Sequence, residues 1–217
     1  MCIRDSSKEE LQWMQSRFDN LCRQLGVSSE DLIGWRQKLF DQYNQSNRYY
    51  HNLVHIYNFI KVFEQHPTVI RQPLWFEVAI WWHDAIYDAQ RKDNEQKSAQ
   101  WAVDCWGDYL EEEALAYIKL LIDSTEKHLP LEDNIDVYYF LDMDLSVLAT
   151  ESTTYITYTN YIAKEYQLYY PKLLYKMGRK KAMRQFFNRS RLYYTSFFYE
   201  NYENQAKSNI KLELKTI

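Results

Sequence analysis

The sequence predicts an all-α fold, a single bundle of roughly nine or ten helices over residues 7–217. Three observations carry this. Apolar residues recur at steps of three and four along most of the chain, the spacing that lines one face of a helix. Four Gly and four Pro in 217 residues supply little of the turn chemistry that many short strands need. The chain is rich in 20 Tyr, 10 Phe and 7 Trp, side chains that span from an apolar core to a polar surface.

The elements follow in order. Lys8–Leu25 places Leu11, Met14, Phe18, Leu21 and Leu25 on one face, and Gly26 stops it. Ser28-Ser29-Glu30-Asp31 provides a cap and first-turn acids for a helix carrying Leu32, Trp35, Leu39, Phe40 and Tyr43. Asn44–Asn47 is a polar loop. A core helix is expected to open near His51 and run through Ile56, Phe59, Ile60 and Phe63, with Pro67 closing it. The next spans about 72–87 and contains His83-Asp84. After the polar loop Asp88–Asn94 come helices over Glu95–Trp106 and Glu111–Lys127, the latter broken by His128-Leu129-Pro130. Asp133–Leu148 carries Asp142 and Asp144 inside an apolar run. Thr153–Tyr170 has six tyrosines, mostly at helical spacing, and bases cluster in Lys172–Arg191. The chain closes with an aromatic helix and a polar one, Tyr193–Leu214. There is no repeat and no linker.

Met1–Ser6 resembles the translation of a transposon-end sequencing adapter, and it is expected to lie outside the native fold. Formal charge is −4 with acids and bases interspersed, which implies no attraction to a nucleic-acid polymer. Cys2, Cys22 and Cys105 form neither a disulfide framework nor a zinc pattern, so a reduced, cytoplasmic setting is expected. No apolar run reaches the roughly 18–20 residues of a membrane span.

Chemistry concentrates around Trp75–Asp88. Seven of the eight residues Trp75–Trp82 are apolar, and they run straight into His83-Asp84. Burying an unpaired charge is costly unless a partner or metal compensates it. The pair is therefore either a core histidine oriented by a carboxylate, or two ligands of one metal ion. His51 and His55 are four apart, which on a helix puts them on one face. Asp142 and Asp144 are awkward in an apolar segment without a cation. About 200° apart on a helix, they should not bind the same ion. Imidazole and carboxylate together suit Mn, Fe, Co, Ni, Zn or Mg, without distinguishing among them. Asp88 and Glu95 follow the pair as rim acids, or as loop and first-turn acids that are simply solvated. His128 ends a helix, either solvated or close enough to join a second metal. Arg179 and Lys180 lead a basic cluster that is either a solvated face or a reach toward phosphate.

Several ordered segments resemble the HD-domain superfamily, and more closely a bacterial family of predicted metal-dependent HD phosphohydrolases. They are Arg48-Tyr-Tyr-His-Asn-Leu-x-His-Ile56, WWHDAIYD, Asp93-Asn94-Glu95-x2-Ser98-Ala99, Leu141-Asp-x-Asp-Leu145 and Gly178-Arg179. The resemblance implies metal ligands at His55, His83, Asp84 and a late Asp, with Asp144 favoured over Asp142. Asp142, His128 and Asp88 are left as outer support or ligands of a second metal. The string Tyr50-His51-Asn52-x-x-His55 is also similar to the cyclic nucleotide phosphodiesterases, which implies His51 as general acid. Catalysis would then fall to His51, Asp84 and Glu95, with Arg179 and Lys180 on a substrate phosphate. The expected activity is metal-dependent hydrolysis of a small phosphoester such as a nucleotide. The expected partners are that small phosphorylated substrate and, as an open option, a second copy in a homodimer, with no nucleic acid and no membrane. The alternatives are an HD-fold diiron oxygenase and a non-catalytic nucleotide-binding or scaffold protein.

Overall fold

A computed structural model describes residues 7–66 and 68–217. The expectations placed on Met1–Ser6 and Pro67 lie outside the described residues. Among the described residues there are ten α-helices, one 3-10 turn and no strand, which is the all-α fold expected. The chain divides into two compact units, the first ending at Val137 and the second running Tyr138–Ile217.

In the first unit, helices start where a side chain can accept the orphan amides of a first turn. Ser7 and Glu10 form a reciprocal capping box at α1, Lys8–Gln24. The turn after α1 passes through Gly26 at φ 78°, a left-handed conformation that suits glycine. Ser28 then caps α2, Ser29–Tyr43. Asn52 caps α3, Leu53–Phe63, by accepting from the Val54 amide at 2.9 Å. That cap corrects one expectation: the helix opens at Leu53, because Asn52 is extended, and His51 lies before it rather than one turn below His55.

The centre of this unit is α4, Pro73–Trp82, which is buried on nearly every side. Trp81 and Trp82 are fully buried. Phe18 meets Trp81 edge-on at 5.2 Å, and Trp106 meets Trp82 at 5.7 Å. Its one acid, Glu77, is clamped by the Arg17 guanidinium through two 2.7 Å hydrogen bonds. This forked pairing offsets the desolvation of the carboxylate. Around α4 stand α5, Asn94–Trp106, and α6, Glu112–Ser124.

A second correction concerns the end of α4. The helix stops at Trp82, so His83-Asp84 follow it rather than sitting within a helix to Tyr87. The cause is competition for the backbone. Arg48 draws off the carbonyls of Asp84 and Ala85 at 2.6 and 2.7 Å. The Ser98 hydroxyl takes both polar backbone groups of Ile86, accepting from its N–H at 3.0 Å and donating to its C=O at 3.2 Å.

The division between the units falls within α7, Ile135–Asp144. The second unit continues through a 3-10 turn, Leu145–Ala149, then α8, Ser152–Gln167, and α9, Lys172–Asn188. Its last element, α10, is one unbroken helix, Ser196–Thr216, where an aromatic and a polar helix were expected. The joint between them is missing because no Gly or Pro interrupts the stretch. Tyr155, Tyr158 and Tyr161 of α8 are buried. Asn209 of α10 donates to the carbonyls of Leu148 and Thr150 at 2.9 and 2.8 Å, holding the 3-10 turn against that helix. No helix among the described residues is long and apolar enough to cross a membrane.

Candidate metal centre

His83 sits at the end of α4 and is 1% exposed. Its Nδ1 lies 2.9 Å from the Ile80 carbonyl oxygen. A carbonyl only accepts, so Nδ1 carries the proton and Nε2 presents a lone pair. That Nε2 lies 3.0 Å from Nε2 of His55, on the first turn of α3, and 3.1 Å from Oδ2 of Asp84. The same carboxylate oxygen is 3.5 Å from His55 Nε2. A lone pair facing a carboxylate in a nearly dry site is repulsive, and a cation between them removes the repulsion. Two imidazole nitrogens and a carboxylate oxygen are a donor set that suits a divalent metal. The His83 Nδ1 bond to Ile80 is the outer anchor that commonly orients a ligating histidine. His55 and His83 thus belong to a set of side chains that could hold a metal ion.

Asp84 is placed by its backbone. Arg48 holds its carbonyl, leaving the carboxylate directed at the imidazoles. Burial opposes ionisation of Asp84; positive charge on the rings of His83, His51 and His55 would outweigh it and hold the carboxyl well below the usual range, and where the rings are neutral a cation between them would supply that charge instead. His51 stacks on Tyr87 with ring centres 4.1 Å apart, and its ring is 6.2 Å from that of His55. It therefore stands beside the cluster, among aromatics, even though it does not share a helix with His55.

Glu95, the second residue of α5, is half-buried. Burial raises its pKa; the charges of Asp84 and Glu126 add to this, and His128 opposes it. Glu95 thus lies within electrostatic reach of both Asp84 and His128. His128 takes φ 48°, a left-handed backbone unusual for a residue with a side chain. Asp88 is turned to its own loop: Oδ1 accepts from the Gln90 amide at 2.9 Å, and the Asn94 side chain bonds both backbone groups of Asp88.

The remaining candidates belong to the second unit. Asp142 is fully buried, and its two oxygens accept from the amides of Tyr194 and Thr195 and from the Thr195 hydroxyl, each at 2.7 Å. Burial pushes its pKa up to about 6 against those bonds. Asp144 is the last residue of α7 and is half-buried. Arg179 and Lys180, read as a solvated face or a reach toward phosphate, have partners within the unit. Arg179 forks onto Glu213 at 2.8 and 3.2 Å, with Tyr158 at 3.3 Å, and Lys180 donates to the Ile217 carbonyl at 3.0 Å. A buried carboxylate needs such a partner, and Glu213 is buried.

Sequence reasoning gave no role to Arg48, Tyr87 or Ser98, yet these three set the backbone and ring positions around His51 and Asp84. The available signal was an arginine opening an aromatic run directly before the first histidine, where a solvated loop has little use for three rings. Comparison with protein-family models, with curated proteins and with solved structures finds no match to this chain.

Proposed function

We propose that the chain is a metal-dependent phosphohydrolase acting on a small phosphoester. The observation that supports this reading best is the convergence of His55 Nε2, His83 Nε2 and Asp84 Oδ2 within 3.0–3.5 Å, with the His83 proton committed to the other ring nitrogen. His55, His83 and Asp84 would hold the ion, with Asp144 as the further ligand implied by the sequence resemblance. A divalent ion at such a site lowers the pKa of bound water and polarises a phosphoryl oxygen.

The chain's own residues would do the rest. His51, packed between Tyr50 and Tyr87, would give a proton to the leaving oxygen. Glu95, whose pKa is raised by burial, would accept a proton from the attacking water.

Metal analysis of the purified chain, followed by a phosphoester panel with the bound metal supplied, tests the reading. One equivalent of metal, lost in both His83→Ala and Asp84→Ala, together with metal-dependent release of phosphate or of an alcohol, is the expected result. Metal retained at full stoichiometry in both variants would sink the site; bound metal with no turnover on any ester would sink the activity. The electrostatic reach from Asp84 through Glu95 to His128 favours one other reading, a two-metal centre of oxygenase type. Two irons per chain and consumption of dioxygen would establish that reading in its place.

A further inference from the structure

Charge is divided unequally along this chain. Residues up to Val137 carry 14 Lys and Arg against 23 Asp and Glu, a net −9. Tyr138–Ile217 carries 12 against 7, a net +5. The excess is concentrated further. From Gln167 to Tyr199 there are eight Lys and Arg and no acid at all.

That stretch contains α9, whose outward face changes character along its length. The first two turns expose Leu173 at 70%, Leu174 at 55% and Met177 at 61%. Leu168 and Tyr169, at the corner that leads into α9, are exposed at 51% and 37%. One and two turns further on, the same face presents Lys181 and Arg184, both exposed. Met177, Lys181 and Arg184 line a hollow of about 460 Å³ together with Lys180, Gln185 and Asn188. Residues 173, 177, 181, 184 and 188 follow steps of three and four, so they form one stripe. The opposite face, with Tyr175 and Met183, is buried. Single exposed apolar residues are ordinary, but five neighbouring ones with a cationic border mark an interaction surface.

We infer that the α8–α9 corner and the outer face of α9 bind the surface of an anionic lipid bilayer. The apolar residues would enter the boundary between headgroup and acyl chains, while Lys172, Lys181 and Arg184 would meet lipid phosphates and carboxylates. A helix lying on a bilayer needs one apolar stripe beside a cationic one, not a spanning length. That no helix among the described residues is long and apolar enough to cross a membrane therefore does not bear on it. A second copy of the chain suits this face poorly. A two-fold interface repeats one patch on both sides, so the acid-free stretch would face itself. Nucleic acid would satisfy the cations but leave Leu173, Leu174 and Met177 in water.

Sedimentation of the full chain with vesicles tests the inference, using phosphatidylcholine alone and phosphatidylcholine with phosphatidylserine. Binding to the anionic vesicles only, abolished by high salt, is expected. The double variant Lys181→Glu, Arg184→Glu should weaken partitioning more than tenfold, given a factor of roughly five for each cation near the surface. The triple variant Leu173→Ser, Leu174→Ser, Met177→Ser should also lose binding, at unchanged helical content by circular dichroism. No binding to anionic vesicles overturns the inference, and so does equal binding to neutral ones. Apolar substitutions that leave binding intact also overturn it, because the attraction is then charge alone. A charged oligonucleotide or acidic peptide that displaces the chain completely from vesicles at low occupancy assigns the face to that polymer instead.

Discussion

Two short segments of this protein solve the same physical problem with opposite charges. In the first unit, the turn after α4 leaves carbonyls without helical partners, and the buried guanidinium of Arg48 collects those of Asp84 and Ala85. In the second, the segment before α10 leaves four successive amides. Glu203 takes those of Leu192 and Tyr193, and Asp142 takes those of Tyr194 and Thr195. A buried backbone group must be paired, so each segment recruits the charge its own orphans require. The difference lies in what remains. The second segment consumes both carboxylates in holding itself. The first holds its backbone with Arg48 and keeps the Asp84 carboxylate for the imidazoles. One is a joint; the other is a joint that also presents a carboxylate to two imidazoles.

The largest way to break this contrast is Arg48→Ala. It removes charged donors from two carbonyls and releases the turn that aims Asp84, so a loss of about 3 kcal/mol or more is expected, together with loss of bound metal. Urea unfolding and metal analysis on one sample check both. Arg48→Lys should not restore either, since an ammonium lacks the forked geometry. Wild-type stability in Arg48→Lys would refute the fork.

Glu203→Ala should come next, costing about 2–4 kcal/mol by leaving two buried amides unpaired. Metal stoichiometry should be unchanged, and a parallel loss of metal would show that the two segments are not functionally distinct. Asp84→Asn should sharpen the contrast from the other side. The carbonyl held by Arg48 is retained, so metal-free stability should move by no more than about 1 kcal/mol, while metal affinity falls. Calorimetric titration with Mn, Zn and Fe(II) reads the second quantity.

The smallest effect is a control outside both segments. Burial lowers the pKa of His66 below its ordinary 6.5. As pH falls, the unfolded chain therefore takes up a proton before the folded one does. The stability gained by keeping His66 neutral is complete above pH 6.5 and is lost as pH drops through that value toward the folded pKa. His66→Gln should flatten this part of the acid limb in thermal melts. An unaltered limb would assign the sensitivity elsewhere.

Much of the fold was legible because periodicity and caps are local. Ser28, followed by first-turn acids, marks the start of α2 in the sequence itself, whereas the Asn52 cap was hidden beside His51. The ends were less legible where a distant side chain decides them. Nothing near Tyr87 announces that α4 stops at Trp82, because Arg48 and Ser98, from other parts of the chain, stop it. The same holds for the site. His83-Asp84 and His55 stand out as polar residues in apolar surroundings, whereas the engagement of Arg179 by Glu213 joins residues 34 apart and has no local signature. In the tyrosine-rich stretch, helical spacing holds for Tyr155, Tyr158 and Tyr161, which are buried, but not for Tyr169, which lies exposed past the end of α8.

The buried indoles of α4 have a spectroscopic consequence. Trp82 precedes His83 in the chain and packs against Trp106 and Trp35, all inside the first unit. Trp81, Trp82 and Trp106 are fully buried, so the blue edge of the tryptophan emission is expected to report a dry environment that begins one residue from an imidazole that would bear the ion. Loading with a paramagnetic metal such as Co or Ni should quench it in proportion to occupancy. Zinc serves as the silent reference, and the chain needs no label to be titrated.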